Sequence, residues 1–295
     1  MTPLVLGMIG LALAGPVPSA LGRSGWLLAV PRAGVVLWQA LALAASLAIL
    51  GAGLSVALSL GMGGDGILRT GAALLVLGLT AVILARLLWS TAQVALDTRA
   101  RRRRHRDLVD LLGSRSGERP DLRILEQDAP MAYCLPALGN NRLVLSVGAL
   151  ARLGRPELAA ILAHEQAHVS ARHDLVLEGF SALHQAFPRG VRSEVPLHQA
   201  QVMVEMLADD VARTRVGAAP LARALVSMAG QCTPSAGLGA ADRSVLVRLE
   251  RLATPLRPRR LRSAITYAGA ALVLVAPTVL VAVPWMTDVW TRLGA

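Results

Sequence analysis

Four stretches of the chain carry almost no charge and are long enough to be measured against a bilayer. Pro3 to Ala20 is uncharged and ends in the small-residue segment Ala14-Gly15-Pro16-Val17-Pro18-Ser19-Ala20. Ala33 to Met62 has no charged residue, and Gly71 to Trp89 has one, Arg86, near its end. Ala264 to Trp285 is again uncharged and contains Pro277 and Pro284, with Tyr267, Trp285 and Trp290 placed as interfacial aromatics. A hydrocarbon core about 30 Å thick needs about 20 apolar helical residues, so the pattern predicts about four transmembrane helices, at 3–20, 33–62, 71–89 and 264–285. The first run lacks the basic flank of a cleaved signal peptide and is read as a span. Arg86 is expected to snorkel toward the headgroups.

Between the third and fourth runs the period shortens. Gly113 to Pro120 reads as a linker, and Leu122 to Leu125 as an extended segment. Ala132-Tyr133-Cys134-Leu135-Pro136 is expected to pair with Leu143 to Ser146 across Leu138 to Asn141 as a hairpin. Pro136 suits an edge strand. Such an edge, at Ala132, Tyr133 and Cys134, can accept an extended peptide by strand addition, or it can be a plain hairpin with a covered edge. After Pro156, a good first-turn residue, a helix is predicted from about Glu157 through Ala171, with room to continue, kinked or straight, toward Ala186. Leu158, Ile161, Leu162 and Val169 form its apolar stripe. A second helix is predicted from about Pro196 to Arg215. The expected fold is a mainly α membrane protein, with three spans in 1–98, an α+β domain in 99–263 inserted between spans three and four, and the fourth span with a short tail in 264–295.

Composition agrees with a membrane protein, since 54% of the residues are hydrophobic and only 17% charged. The net charge of +11 is carried by arginine alone, because the chain has no lysine. From Arg99 to Ser263 there are 25 Arg against 16 Asp and Glu. Arg23 and Arg32 lie between spans one and two, and Asp65 and Arg69 between two and three. Arg99, Arg101 to Arg104 and Arg106 follow span three, and Arg257, Arg259, Arg260 and Arg262 precede span four. Positive charge kept inside puts the N-terminus outside, about Val94 to Ser263 in the cytoplasm and the C-terminus outside. The arginine block has no interleaved aromatics for bases to stack on, so it is read as a topology anchor and direct nucleic-acid binding is not expected. Cys134 and Cys232 form no disulfide framework, consistent with a reducing compartment. Nothing in the pattern specifies an oligomeric state.

The chemistry concentrates in Ile161-Leu162-Ala163-His164-Glu165-Gln166-Ala167-His168, an H-E-x-x-H arrangement on an apolar helix. Spaced four apart, His164 and His168 share a helical face, so both imidazoles can reach one tetrahedral metal ion. Glu165 lies beside them, placed to act on a water at that ion. Two histidines leave a zinc site incomplete, and the glutamates downstream are Glu178, Glu194, Glu205 and Glu250. Glu178 would lie about 15 Å from His168 on a straight helix. Glu194 falls in the loop before the second helix, and Glu250 follows a Gly/Ser-rich stretch. Glu205 is the best candidate, because Asp209 stands one turn later on the same face, where it can accept a hydrogen bond from the far nitrogen of a ligating histidine. His198, Arg213 and His173 remain open as stabilisers of an oxyanion, and His105 and His184 receive no role.

These residues resemble the integral-membrane zinc peptidases of the BlaR/MecR type, whose catalytic domain is a gluzincin inserted between membrane spans. The resemblance runs from the three leading spans through Ala132-Tyr133-Cys134-Leu135-Pro136 and Arg142-Leu143-Val144-Leu145-Ser146-Val147-Gly148 to His164-Glu165-Gln166-Ala167-His168, Arg172-His173-Asp174 and Glu205-Met206-Leu207-Ala208-Asp209. It implies one zinc ion bound by His164, His168 and Glu205, with Glu165 as general base and Asp209 supporting a ligand from behind. It also implies a cytoplasmic protein substrate, in particular a transcriptional repressor in a signalling pathway. Membrane peptidases of the HtpX type share the motifs but usually place two spans on each side of the domain. Their role, quality control of membrane proteins, is the alternative reading, and an inactive pseudoprotease scaffold is a third. The beta-lactam receptors of the BlaR/MecR type carry a penicillin-binding domain after the fourth span. This sequence ends about ten residues beyond Trp285, so a signal is expected to arrive through a partner, through a ligand in the membrane, or not at all.

Overall fold

The computed structural model describes residues 2–62, 66–115, 119–137, 141–186, 193–229, 238–255, 259–279, 283, 286–287 and 290–291. In chain order the helices and strands are α1 (Thr2–Ala14), α2 (Pro16–Ser24), α3 (Pro31–Gly61), α4 (Ile67–Leu112), β1 (Ser114–Arg115), β2 (Leu122–Leu125), β3 (Ala132–Leu135), β4 (Arg142–Ser146), α5 (Val147–Arg152) and α6 (Arg155–Ser170). They continue as α7 (His173–Ala186), α8 (Val195–Val216), α9 (Ala218–Ala229), α10 (Leu238–Ala253) and α11 (Arg260–Pro277). The chain divides into two compact units. One comprises Met1–Val94, Gly179–Ala200 and Arg259–Ala295, and the other Ala95–Glu178 and Gln201–Pro258.

In the first unit α3 is the central helix, with α1 and α11 packed against it. Its buried positions are mostly small, including Ala33, Ala40, Ala44, Ala45 and Ala48, and small residues let helix backbones approach closely. Gly10 of α1 meets Ile49 of α3, where an added Cβ would come within 2.8 Å of the isoleucine side chain. The expected first span is two helices, because Gly15 and Pro16 interrupt the backbone ladder between α1 and α2. Three stretches are long and apolar enough to cross a membrane: Pro3–Ser24, Pro31–Gly61 and Ile67–Leu112. Only 6% of the third one's apolar window is buried, leaving a largely uncovered hydrocarbon surface that water disfavours. These stretches point to a membrane protein. Of the expected fourth run, α11 covers the first part, while Pro284 and Trp285 lie outside the described residues.

The third apolar run lies inside a longer helix, α4, which continues past Trp89 through the arginine block to Leu112. No glycine or proline occurs from Leu79 to Leu112, arginine is a good helix former, and Gly113 stops the helix. Arg86 Nε donates to the Ala186 carbonyl at 3.1 Å, and Ser90 Oγ donates to the Ala182 carbonyl at 2.6 Å. The Ala186 carbonyl ends α7 and has no partner within its own helix.

The second unit is built on a four-stranded sheet of order β1-β2-β4-β3. The expected hairpin is present as antiparallel β3 and β4, with Ala132 opposite Leu145 and Cys134 opposite Leu143; most of its turn lies outside the described residues. β2 pairs in parallel with β4, and β1 occupies part of the expected linker. Among the described residues β3 pairs with β4 alone, so it is an edge. The pleat sends Tyr133 and Leu135 toward Val109 of α4, and Ala132 toward Leu158 of α6. Ser146 joins sheet to helix: its Oγ accepts from the backbone of Met131 and Ala149 and donates to the Ala129 carbonyl, ending β4 and capping α5.

Asp110 of α4 ties the helix to the sheet. Its carboxylate accepts from Arg123 at 2.8 Å and from Arg142 at 2.9 and 3.1 Å, and the Arg142 hydrogen bond leads in holding its pKa below the usual range. Arg123 is only 3% exposed. Asp110→Ala removes the carboxylate from a buried cation that keeps only the Pro120 and Leu122 carbonyls. The expected destabilisation is about 3 kcal/mol, measured as a shift in the denaturant midpoint, and an unchanged midpoint would contradict this account of the sheet's anchoring.

Candidate metal centre

The metal centre is assembled by α6 and α8. α6 begins with Pro156 in its first turn and Glu157 at its positive end, and neither glycine nor proline interrupts it before Ser170. Its Ala160 and Ala163 pack on Ala212 of α8, Leu221 of α9 and Leu252 of α10. These small side chains leave the more polar stripe of His164, Glu165 and His168 facing β3 and the middle of α8.

Nε2 of His164 lies 3.1 Å from Nε2 of His168, and each is 3.4 Å from a carboxylate oxygen of Glu205. Donors about 2.0–2.1 Å from a tetrahedral ion are separated by about 3.3 Å. The three donors therefore stand at the separations one such ion requires, and they are the group among the described residues that could hold a metal. The far nitrogens are held as well. Nδ1 of His164 lies 2.9 Å from Oδ1 of Asp209, and Nδ1 of His168 lies 3.0 Å from Nδ1 of His173.

The Glu165 carboxylate lies near the Cys134 backbone N–H of the edge strand, which favours its charged form. Burial raises its pKa to about 7, well above an ordinary glutamate. In the metal-free site burial lowers the His168 imidazole to about 4. Burial also works against charging His164, but the carboxylates of Asp209 and Glu205 outweigh it and raise its pKa to about 9. Burial, with the Glu165 charge added, pushes the Cys134 thiol up to about 12, so it is no thiolate at neutral pH.

The other glutamates are accounted for. Glu178 is not on a continuation of α6, because the chain turns at Arg172 (φ 52°) before α7 starts; its carboxylate pairs with Arg102 at 2.7 Å. Glu250 is exposed on α10, and Glu194 belongs to the first unit. Of the residues considered for an oxyanion, His173 sits behind His168, Arg213 donates to the Arg251 carbonyl at 3.3 Å, and His198 belongs to the first unit. The hydroxyl of Tyr133 meets Nε2 of His105 at 2.9 Å on the α4 side of the sheet, so only the backbone of Tyr133 is shared with the face that carries α6.

Residues 95–229 match the family model described as Peptidase family M48. The matched region holds α6, the whole of α8 with Glu205 and Asp209, and the whole sheet, and it supports a metallopeptidase of that family, hence a peptide or protein substrate. Comparison with curated proteins returns no match, and comparison with solved structures returns none.

Arg248 lies outside the matched region and is missed by the sequence reading. From α10 its Nε and Nη2 donate to Asp209 at 2.6 and 2.8 Å, and its Nη1 lies 3.0 Å from Glu205. It is only 8% exposed, so one buried cation pairs with both carboxylates that face the histidines. A faint signal was available: Arg248 and Arg251 stand one turn apart on a helix whose Leu252 is buried, matching the acidic pair Asp209-Asp210, and Arg251 does reach Asp210 at 2.7 Å. Arg248→Met should weaken zinc binding about 10- to 100-fold in competition with a chromogenic chelator. Unchanged affinity would reduce Arg248 to a packing residue.

Proposed function

We propose that this chain is a membrane-bound zinc metalloendopeptidase that hydrolyses peptide bonds in a cytoplasmic protein. The observation that carries the reading is the convergence of Nε2 of His164, Nε2 of His168 and the Glu205 carboxylate, with Glu165 adjacent. His164, His168 and Glu205 would hold the ion, and Asp209, steadied by Arg248, would keep the His164 ring turned toward it. A zinc ion so held polarises a carbonyl and brings the pKa of a water ligand toward about 7. Glu165 takes the proton from the attacking water and returns it to the leaving amine. A substrate segment lying extended along β3, at Ala132, Tyr133 and Cys134, passes beside Glu165, which lies near the Cys134 N–H.

The arginine bias supports a multi-pass protein of the cell membrane with this unit on the cytoplasmic side. The BlaR/MecR resemblance supports a regulator, a repressor, as the substrate. The test compares protein termini in cells carrying the wild type with those carrying Glu165→Gln. One regulator cut at one position in wild-type cells alone supports the signalling role. Many membrane proteins cut at loosely related positions would replace it with quality control, and identical termini in both strains would reject the peptidase itself.

A further inference from the structure

The two histidines of the metal helix are held differently. Behind His164 stands a carboxylate, Asp209, at 2.9 Å. Behind His168 stands another imidazole, that of His173, with the two Nδ1 atoms 3.0 Å apart and the rings edge-on at 4.9 Å between centroids. We infer that His173 is the positioning residue of His168, its Nδ1 accepting the hydrogen bond that keeps the Nε2 lone pair of His168 turned to the metal. The inference rests on the zinc-peptidase reading.

The tautomers follow from valence. If Nε2 of His168 is a ligand it carries no proton, so a neutral ring must carry its proton on Nδ1. That N–H has Nδ1 of His173 in front of it, which can accept only if the His173 proton is on Nε2. A pair of neutral imidazoles thus has one arrangement that both makes the bond and frees the ligand nitrogen.

The local structure around His173 is committed to this placement. The chain reverses between α6 and α7 through Arg172, a non-glycine residue at φ 52°, a conformation that costs about 1 kcal/mol and persists only where surroundings hold it. His173 is the next residue and is 6% exposed. The start of α7 is pinned from α4, where Arg102 reaches Asp174 at 2.9 Å and Glu178 at 2.7 Å. The strained turn and the double ion pair fix the first turn of α7, and with it the His173 ring.

The test separates the polar atom from the ring. Asparagine can place a polar atom near the position of Nδ1, whereas phenylalanine keeps the ring and its packing but offers no acceptor. Zinc affinity is measured by chelator competition on purified full-length wild type, His173→Ala, His173→Asn and His173→Phe, with the metal-free melting temperature recorded for each. Expected is an affinity loss of about 10- to 100-fold in His173→Ala and His173→Phe, with most of it restored in His173→Asn. Restoration by phenylalanine but not asparagine, or wild-type affinity in all three, would overturn the inference while leaving the peptidase reading standing. Failure of the wild type itself to bind zinc would overturn both.

Discussion

Glu165→Gln is expected to retain one zinc per chain and to lose roughly 10²-fold or more of its peptidase activity. The substitution keeps size and hydrogen-bonding shape but removes the ability to take a proton. Glu165 is not among the three converging donors, so its loss leaves the ion's protein ligands intact. It is the acid adjacent to both histidines, and its carboxylate lies near the Cys134 N–H of β3. The decisive readout is kcat on an unfolded protein substrate at saturating zinc, measured beside metal content. A variant that cleaves at the wild-type rate would remove Glu165 from the chemistry.

The second large effect is on the metal. Glu205→Ala deletes one of the three protein ligands, and zinc affinity should fall by more than the about 10- to 100-fold expected when only a supporting carboxylate is lost. Asp209→Ala provides that comparison, because Asp209 touches Nδ1 of His164 and not the ligand nitrogen. Each substitution also takes a partner from Arg248, which stands 3.0 Å from Glu205 and 2.6 Å from Asp209. Stripping a buried cation of its carboxylates costs about 3–5 kcal/mol, so metal binding has to be measured where both variants are folded. Metal content in Glu205→Ala equal to that of the wild type would rule out Glu205 as a ligand.

Legibility of the fold and site from sequence tracked how local each feature is. His164, Glu165 and His168 share one helical face by spacing alone, and the Glu205/Asp209 pair repeats that logic on α8, so the geometry of all five could be anticipated. The hairpin was legible for the same reason, because β3 and β4 alternate within a short span. The parallel pairing of β2 with β4 was not, since neither strand's pattern carries information about a partner reached through a crossover. The length of α4 was not legible because the change from apolar to arginine-rich residues near Arg99 resembles an element boundary. Helix propensity, which does not change there, kept the backbone continuous to Gly113. The break after α6 had no sequence signal, because Arg172, not a glycine, takes the left-handed conformation. Arg248 was hidden by distance, 39 residues from its Asp209 partner and one of 25 arginines between Arg99 and Ser263. Among so many like residues, only packing distinguishes the one that is buried.

The most direct test of the central claim is zinc X-ray absorption on the purified full-length protein, wild type beside Glu205→Ala. The account predicts a wild-type ion with two imidazole nitrogens and oxygen neighbours at about 2.0–2.2 Å, no sulfur at about 2.3 Å, and loss of that environment in the variant. A sulfur neighbour, or the same coordination sphere in both proteins, would contradict the site of His164, His168 and Glu205.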